Sequence, residues 1–357
     1  MLRIGFVALV FLLLTACTPD SGIQECRAPE FLKKGDKVAL VSPSYRPGDV
    51  NLLKTEKLLK EWGFVPVRGK HADRTFAGRF AGSPEERVGD FVEALSDTSI
   101  KAIICNHGGY GSIHLVGNVD SRLLRENPKW LVGFSDITTL HAMETDAGVM
   151  SIHATMSEFM GRDSLAKENA VLLRDLLMGK VPRYRVPAHK LNRNGHAEGV
   201  LVGGNMATLC ALSGSPVDVY SRDGIILFLE ELGESLHSID RMLNSLELRG
   251  VLKNVRGVIL GEFKDYNPDL DFEDVETMLV KGFEKYGIPV MVGFPAGHGR
   301  VNLPLVMGAK ATLDVDERGA TLSFGVGNET AEIATDRIVG RYPSAEPARR
   351  FDRFIPR

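Results

Sequence analysis

The sequence predicts an α/β protein with two domains, an N-terminal doubly wound parallel sheet and a C-terminal mixed α/β domain. The chain has 357 residues, which is long for a single hydrophobic core. Over about 30–160, short apolar segments alternate with segments of helical periodicity, as in a parallel sheet. From residue 199 strand-like segments are more frequent and the alternation is less regular, which indicates a second domain.

The first domain is predicted to span 30–160. Apolar runs bounded by glycine, proline or polar residues indicate its strands, and apolar residues three or four apart indicate its helices. Ser83-Pro-Glu-Glu86 is typical of a helix start, with a serine cap, proline in the first turn and acids after it. The predicted strands are 37–42, 64–67, 102–105 and 130–134, and the predicted helices are 52–62, 83–95, a stretch after 112, and 137–145.

The second domain is predicted to span 199–340. Residues 161–198, a charged helix followed by a proline-containing segment, are expected to form a linker that crosses between the domains. Residues 341–357 are expected to be a C-terminal tail. The predicted strands of the second domain are 200–204, 225–230, 257–261, 290–294 and 311–315, with helices near 237–248 and 272–286.

The N-terminus has the pattern of an export signal. Arg3 precedes an apolar run over 4–14, which is too short for a mature membrane span. Leu14-Thr-Ala-Cys17 then resembles a bacterial lipobox, which implies cleavage before Cys17 and a lipid anchor on it. The alternative is an ordinary secretory signal with a chance cysteine. Residues 18–29 would be a tether, and the body would lie in the cell envelope, with the outer membrane favoured because Thr18 is not an aspartate retention signal.

Composition excludes several classes of function. The formal net charge of −3 gives no reason to expect nucleic-acid binding. Cys26, Cys105 and Cys210 have no paired spacing, so neither a disulfide framework nor a zinc site is predicted. The histidines likewise lack the spacing of metal ligands.

A glycine-dense turn, Gly108-Gly-Tyr-Gly-Ser112, follows the apolar strand at 102–105. A hydroxyl at the end of a strand and the start of a helix is exposed beside free N–H groups, so Ser112 is a candidate nucleophile. The alternatives are a plain strand–helix junction or a phosphate cradle. The turn is neither a Walker loop nor a Gly-x-Ser-x-Gly elbow, since His114 stands where the second glycine would be.

Two further strand ends carry reactive side chains. The strand at 225–230 delivers Glu230 and Glu231, which alternation sends to opposite faces. The loop after the strand at 290–294 contains His298 between two glycines. Serine, carboxylate and histidine in this order predict a catalytic triad in which the histidine accepts the serine proton. Surface acids and a solvated loop histidine are the alternatives.

The chain resembles the serine LD-carboxypeptidase family, which includes muramoyl-tetrapeptide carboxypeptidases and microcin-immunity peptidases. The motifs that carry the resemblance occur in the family's order. They are Gly108-Gly-Tyr-Gly-Ser112, Gly133-Phe-Ser-Asp-Ile-Thr138, Gly203-Gly-Asn205, Leu229-Glu-Glu-Leu-Gly-Glu234, Asp240-Arg-Met-Leu243 and Gly293-Phe-Pro-Ala-Gly-His298.

The resemblance implies a site in the cleft between two domains, with Ser112 as nucleophile, His298 as base and Glu230 orienting the histidine. It also implies a homodimer and no metal or cofactor. His107 departs from the family, which often has arginine there, and the export signal departs from the typical cytoplasmic location.

The implied reaction removes terminal D-alanine from murein tetrapeptides, at the bond that follows the L-centre of a diamino acid, through an acyl-enzyme. Backbone N–H groups of the glycine turn, at Gly109 and Ile113, are the expected oxyanion donors. Two alternatives remain. One is a microcin-immunity-type amidase that acts on peptidyl or aminoacyl nucleotides, and the other is a catalytically silent lipoprotein that binds muropeptides.

Overall fold

The computed structural model of the chain describes residues 26–161, 164–266, 273–327 and 329–340. The predicted signal peptide, Cys17, most of the tether and the tail at 341–357 lie outside the described residues. Cys26 is already buried, and the N–H of Arg27 donates to the carbonyl of Gly148 at 2.8 Å. The packed body therefore includes the last residues of the segment predicted as a tether.

The described residues contain strands and helices that alternate first regularly and then less so. The strands are β1 Lys37–Val41, β2 Val65–Arg68, β3 Ile100–Cys105, β4 Trp130–Gly133, β5 Ser151–His153, β6 Lys180–Pro187, β7 Gly195–Asn205, β8 Ile225–Leu232, β9 Val255–Lys264, β10 Val290–Val292, β11 Leu305–Met307, β12 Lys310–Asp316, β13 Gly319–Phe324 and β14 Glu329–Ala334. The α-helices are α1 Asp49–Glu61, α2 Pro84–Ser96, α3 Ser121–Glu126, α4 Thr138–Ala147, α5 Ser157–Met160, α6 Ser164–Leu177, α7 Met206–Ala211, α8 Leu236–Leu248, α9 Val275–Phe283 and α10 Thr335–Val339. Within these residues, no helix has the length and apolar character needed to cross a membrane.

The first sheet has six strands in the order β11-β5-β4-β3-β1-β2. All its neighbours are parallel except β11, which runs antiparallel to β5. The predicted doubly wound sheet is confirmed. Strand β11 comes from late in the chain, so the two parts of the fold share this sheet.

The second sheet has eight strands in the order β10-β9-β8-β7-β12-β13-β6-β14. Strands β7 to β10 are parallel, whereas β12 and β13 pair antiparallel, so the predicted mixed architecture is confirmed.

The segment 161–198, predicted as a linker and crossover, contains helix α6 and strand β6, and β6 belongs to the second sheet. The strand contains two prolines, and Val181, Tyr184 and Val186 are buried within it. The hydroxyl of Tyr184 also donates to the carbonyl of Pro304 at 2.7 Å. Val181 is buried against the core of the first sheet, and Tyr184 and Val186 are buried against the second sheet. This burial outweighs the lost proline N–H groups.

The carboxyl ends of parallel strands from the two sheets meet at one place, where ligands bind in open α/β sheets. The N–H of Asn205, at the end of β7, donates to Oγ1 of Thr138 at the start of α4, 3.0 Å away. Gly204 has a φ of 132°, and a side-chain carbon there would lie 2.4 Å from the same Oγ1. A glycine at this position therefore allows the two sheets to approach closely.

Candidate active site

A strained turn presents Ser135 at the end of β4. Its φ of 64° lies in the left-handed region, which costs a non-glycine residue free energy and is frequent at functional sites. A short 3₁₀ turn over Ser135–Ile137 leads directly into α4. Ser135 is partly exposed, unlike its buried neighbours Phe134 and Asp136. This strand–turn–helix geometry is that of a nucleophile elbow.

His298 joins Ser135 to Glu230. Its Nδ1 lies 2.6 Å from Oε2 of Glu230, and its Nε2 lies 2.9 Å from Oγ of Ser135. With an ionised Glu230, the Nδ1–H donates to the carboxylate, which leaves Nε2 free to accept the Ser135 hydroxyl proton. Glu230 is fully buried at the end of β8, so its charge is poorly hydrated and acts strongly on the imidazole. The arrangement can activate a serine for nucleophilic attack.

The structure contradicts the prediction that Ser112 pairs with His298. Ser112 is fully buried, and its Oγ lies 2.5 Å from the carbonyl oxygen and 2.7 Å from Oδ2 of Asp136. Gly111, with a φ of 131°, turns the chain so that Ser112 points inward. Nε2 of His298 forms its hydrogen bond with Oγ of Ser135 instead. The predicted pairing of Glu230 with His298 is present.

Asp136 connects three segments around the elbow. Its Oδ2 accepts the N–H of Ser112 at 2.9 Å and the hydroxyl of Ser44 at 2.5 Å, in addition to the Ser112 hydroxyl. Ser44 belongs to the loop after β1. Because all three residues are buried, these hydrogen bonds hold the glycine turn at a fixed position beside Ser135.

Gly108 leaves space next to the elbow. A side-chain carbon built on it would lie 3.2 Å from Oγ of Ser135 and 3.5 Å from the backbone nitrogen of Asp136. An oxyanion formed on a group attached to Ser135 would occupy this region, where the backbone nitrogen of Asp136 lies. Gly109, the next residue after Gly108, stays a candidate as the second donor. The predicted donor Ile113 follows Ser112 in the chain, and its side chain packs on the core of the second sheet. Ile113 was expected as a donor because it follows Ser112, whereas the serine that contacts His298 in this structure is Ser135.

The carboxylates around His298 set its charge state. Burial alone lowers the pKa of His298, but the hydrogen bond and charge of Glu230 outweigh it, and the pKa lies above its usual value. Glu231 and Glu262 act in the same direction from farther away. The imidazolium formed during proton transfer is therefore stabilised.

Glu231 points away from this chain of hydrogen bonds, as strand alternation predicts. Its carboxylate accepts the side-chain amide of Asn205 at 2.7 Å and the N–H of Ala207 at 2.7 Å. Burial raises the pKa of Glu231, and these hydrogen bonds partly offset the rise. Glu231 therefore fixes the start of α7.

Other histidines near the site are structural or peripheral. His141 is buried between Oγ of Ser151 and the carbonyl of Gly133, at 2.8 and 2.9 Å, and burial lowers its pKa to about 4. It therefore supports the elbow as a neutral side chain. His107, at the position of the family arginine, lies beside the rings of Tyr45 and Phe159. Among the described residues, no group of three or more histidine, cysteine or acidic side chains could hold a metal ion.

Comparison with known families decides the relationship that the motifs suggested. A model described as the LD-carboxypeptidase N-terminal domain matches residues 38–154, and one described as the LD-carboxypeptidase C-terminal domain matches residues 198–313. The chain belongs to the LD-carboxypeptidase family. It is therefore an enzyme of the carboxypeptidase type, and the predicted family is confirmed.

Individual relatives of this LD-carboxypeptidase are similar over most of their length. A probable murein peptide carboxypeptidase of Bacillus subtilis is 32% identical over 308 residues, which cover 84% of this chain and 95% of the relative. The microcin C7 self-immunity protein MccF of Escherichia coli is 25% identical over 326 residues, which cover 82% of this chain and 94% of MccF. The crystal structure of a muramoyltetrapeptide carboxypeptidase from Oxalobacter formigenes superposes with a TM-score of 0.75 at 26% identity, covering 83% of this chain and 100% of that one.

Sequence reasoning missed Ser135 although a signal was present. The residue stands in the motif Gly133-Phe-Ser-Asp-Ile-Thr138, directly after a predicted strand and before a predicted helix. This is the same local context as that of Ser112. Glycine density favoured Ser112, but in this fold the glycines make room around Ser135, and the serine that contacts His298 lies at the end of the neighbouring strand.

Proposed function

We propose that this LD-carboxypeptidase removes terminal D-alanine from murein-derived tetrapeptides by serine catalysis. Ser135 is the nucleophile, His298 the general base and Glu230 the residue that orients the histidine. The observation that carries the proposal is the continuous chain of hydrogen bonds from Ser135 Oγ through the imidazole to Glu230. The murein peptide named for the Bacillus subtilis relative supports the substrate class.

In acylation, Oγ of Ser135 attacks the carbonyl carbon of the diamino acid while its proton passes to Nε2 of His298. The N–H groups of Asp136 and Gly109 stabilise the oxyanion, and each such donor contributes about 3–4 kcal/mol to the transition state. The C–N bond then breaks as Nε2–H gives its proton to the leaving nitrogen of D-alanine. The product is an ester between the tripeptide and Ser135.

In deacylation, water attacks the ester carbonyl and gives a proton to His298. Collapse of the second tetrahedral intermediate returns the proton to Oγ of Ser135 and releases the tripeptide with a free carboxylate. Glu230 accepts the Nδ1–H hydrogen bond and balances the imidazolium in both halves of the reaction.

The test is release of D-alanine by the purified protein from a defined tetrapeptide, with the tripeptide followed by mass spectrometry. The wild-type protein is expected to turn over, and Ser135→Ala is expected to bind peptide without measurable release. Equal turnover by the two proteins would overturn the assignment of Ser135.

The alternative substrate class is an aminoacyl or peptidyl nucleotide, supported by the similarity to MccF. The same serine chemistry applies to either amide-like bond. Both tryptophans, Trp62 and Trp130, are buried, but the ring of Tyr110 beside the glycine turn is 51% exposed and could stack on a base. Hydrolysis of a peptidyl nucleotide phosphoramidate faster than of the tetrapeptide would favour this class. Peptide binding without turnover would instead favour the catalytically silent lipoprotein.

We also propose that the enzyme works in the cell envelope, anchored through lipid on Cys17, and that it forms a homodimer. The lipobox pattern at 14–17 supports the anchor, and the family resemblance supports the dimer. Membrane fractionation, with a mass measurement on the N-terminal peptide of wild type and Cys17→Ala, tests the anchor. Light scattering of the soluble body tests the dimer.

A further inference from the structure

Two opposite charges lie side by side at the carboxyl end of β9, next to the active site. Glu262 and Lys264 are two positions apart on one strand, so they share a face of the sheet. Their side chains are 28% and 39% exposed, and Oε2 of Glu262 lies 3.9 Å from Nζ of Lys264. That separation allows attraction but is too long for a hydrogen bond. Both groups therefore keep hydrogen-bonding capacity for another molecule.

Glu262 is placed against the loop that carries the catalytic histidine. A side-chain carbon on Gly299 would lie 1.7 Å from Oε2 of Glu262, so this carboxylate packs directly on the backbone that follows His298. On the adjacent strand β8, Glu230 packs on Gly297 in the same way. A side-chain carbon on Gly297 would lie 2.8 Å from Oε2 of Glu230. The two glycines thus let the histidine loop lie over two carboxylates, one that contacts the imidazole and one that does not.

The hydrogen-bonding capacity of the Glu262 carboxylate is not fully used. Burial raises its pKa, and the charge of Lys264 partly offsets the rise. Among the side-chain contacts of the described residues, Lys264 is its one ion-pair partner and no hydrogen bond reaches the carboxylate. A half-buried carboxylate without donors favours an additional cation or N–H group.

We propose that Glu262 and Lys264 bind a zwitterionic amino acid head at the end of the substrate's third side chain. Glu262 accepts hydrogen bonds from its ammonium group, and Lys264 donates to its carboxylate. This rests on the proposed function and names the diamino acid as one whose side chain ends in both charges. A lysine side chain offers only the ammonium group, and an amidated head offers no carboxylate for Lys264.

The test compares three tetrapeptides that differ only at the third residue: meso-diaminopimelate, its side-chain amide, and lysine. For the wild-type protein, kcat/KM is expected to be about tenfold or more higher for the free diaminopimelate than for the other two, through KM. Lys264→Met is expected to remove this preference, so that the free diaminopimelate peptide and its side-chain amide have similar kcat/KM. Glu262→Gln is expected to raise KM for all three peptides, since each carries the ammonium group.

A matched control is Glu198→Gln. Glu198 also pairs with a lysine, Lys310, at 3.1 Å, but its side chain is more exposed, at 49%, and it lies near the start of β7, away from the strand ends that form the site. It should change none of the three KM values. Melting temperatures of all variants exclude misfolding as the cause.

Three results would overturn the proposal in distinguishable ways. Equal wild-type kcat/KM for the three peptides, with normal release of D-alanine, would refute the zwitterion site alone. A fall in kcat and a shifted pH profile for Glu262→Gln, without a change in KM, would show that Glu262 acts only through His298. No release from any peptide would refute the proposed function, and the inference with it.

Discussion

Nε2 of His298 lies 2.9 Å from Oγ of Ser135, although the two residues belong to loops of different sheets. The contact depends on the interface between the sheets, where Asn205 binds Thr138 and β11 extends the first sheet. Because proton transfer requires this distance to be kept, the interface is part of the catalytic geometry. Any substitution that shifts one sheet against the other should reduce turnover without touching substrate.

Ser135→Ala and Ser112→Ala separate the nucleophile from the residue that supports it. Ser135→Ala should lower kcat by about 10³-fold or more, because no nucleophile remains. Ser112→Ala removes one hydroxyl donor to Asp136 but keeps the Ser112 N–H contact, so about a tenfold loss is expected. Release of D-alanine under saturating tetrapeptide measures both. A larger loss of activity in a folded Ser112→Ala variant than in Ser135→Ala would indicate that Ser112 is the nucleophile.

Gly108→Ala tests the space beside the elbow. The added methyl group would lie 3.2 Å from Oγ of Ser135 and 3.5 Å from the nitrogen of Asp136, where the oxyanion is expected. We expect kcat to fall by about 10²-fold, comparable with loss of one oxyanion donor. The melting temperature should fall slightly, because the methyl group would also lie 3.0 Å from Cβ of Ser135. Gly117→Ala is unsuitable as a control because its φ is 76°, so Gly89→Ala, with open space around it, is the matched variant. Full activity of Gly108→Ala would place the oxyanion elsewhere.

Glu230→Gln should change the pH dependence of the reaction. His298 must be neutral to accept a proton, so kcat/KM falls as pH drops through its raised pKa. Without the Glu230 charge, the acidic limb should move to lower pH while the plateau falls, because the imidazolium loses its counter-charge. The pH–rate profile of tetrapeptide hydrolysis is the measurement.

Glu231→Gln is the neighbouring control for that experiment. It keeps the side-chain length and lies on the opposite face of β8, where it binds Asn205 and Ala207. We expect a smaller loss of plateau activity and a slightly lower melting temperature. If Glu231→Gln lost more activity than Glu230→Gln, the orienting carboxylate would have been assigned wrongly.

Glu144→Gln should stabilise the protein at neutral pH. Glu144 is fully buried in α4, and its Oε2 has no hydrogen-bond partner among the residues that the structure describes. Burial raises the pKa of Glu144 well above the usual value. A carboxyl group whose folded pKa is raised favours folding at low pH, and this contribution is lost as pH rises from the unfolded pKa through the folded one. The melting temperature of the variant should therefore exceed that of wild type at pH 7, and the difference should shrink toward pH 4. An equal difference at both values would show that ionisation of Glu144 is not the cause.

Much of the fold could be predicted because its signals are local. Apolar runs marked strands such as β3 and β8, and Ser83 marked the start of α2, where its side chain caps the N–H of Glu86. Strand β6 was missed because its partners, β13 and β14, lie far away in the chain. The prolines in β6 are locally unfavourable for a strand, whereas the burial of Tyr184 depends on the assembled sheet.

The sequence by itself determined the family, the two α/β parts and the strand ends that carry Glu230 and His298, since these depend on periodicity and short motifs. It also contained both serines in similar contexts, each after a buried strand. Only the tertiary structure decided between them, because hydrogen bonds join residues from separate loops. The hydroxyl of Ser112 donates a hydrogen bond to the Asp136 carboxylate, whereas His298 on the loop of the second sheet forms a hydrogen bond with Ser135. The choice of Ser135 as the proposed nucleophile therefore depends on how the two sheets pack.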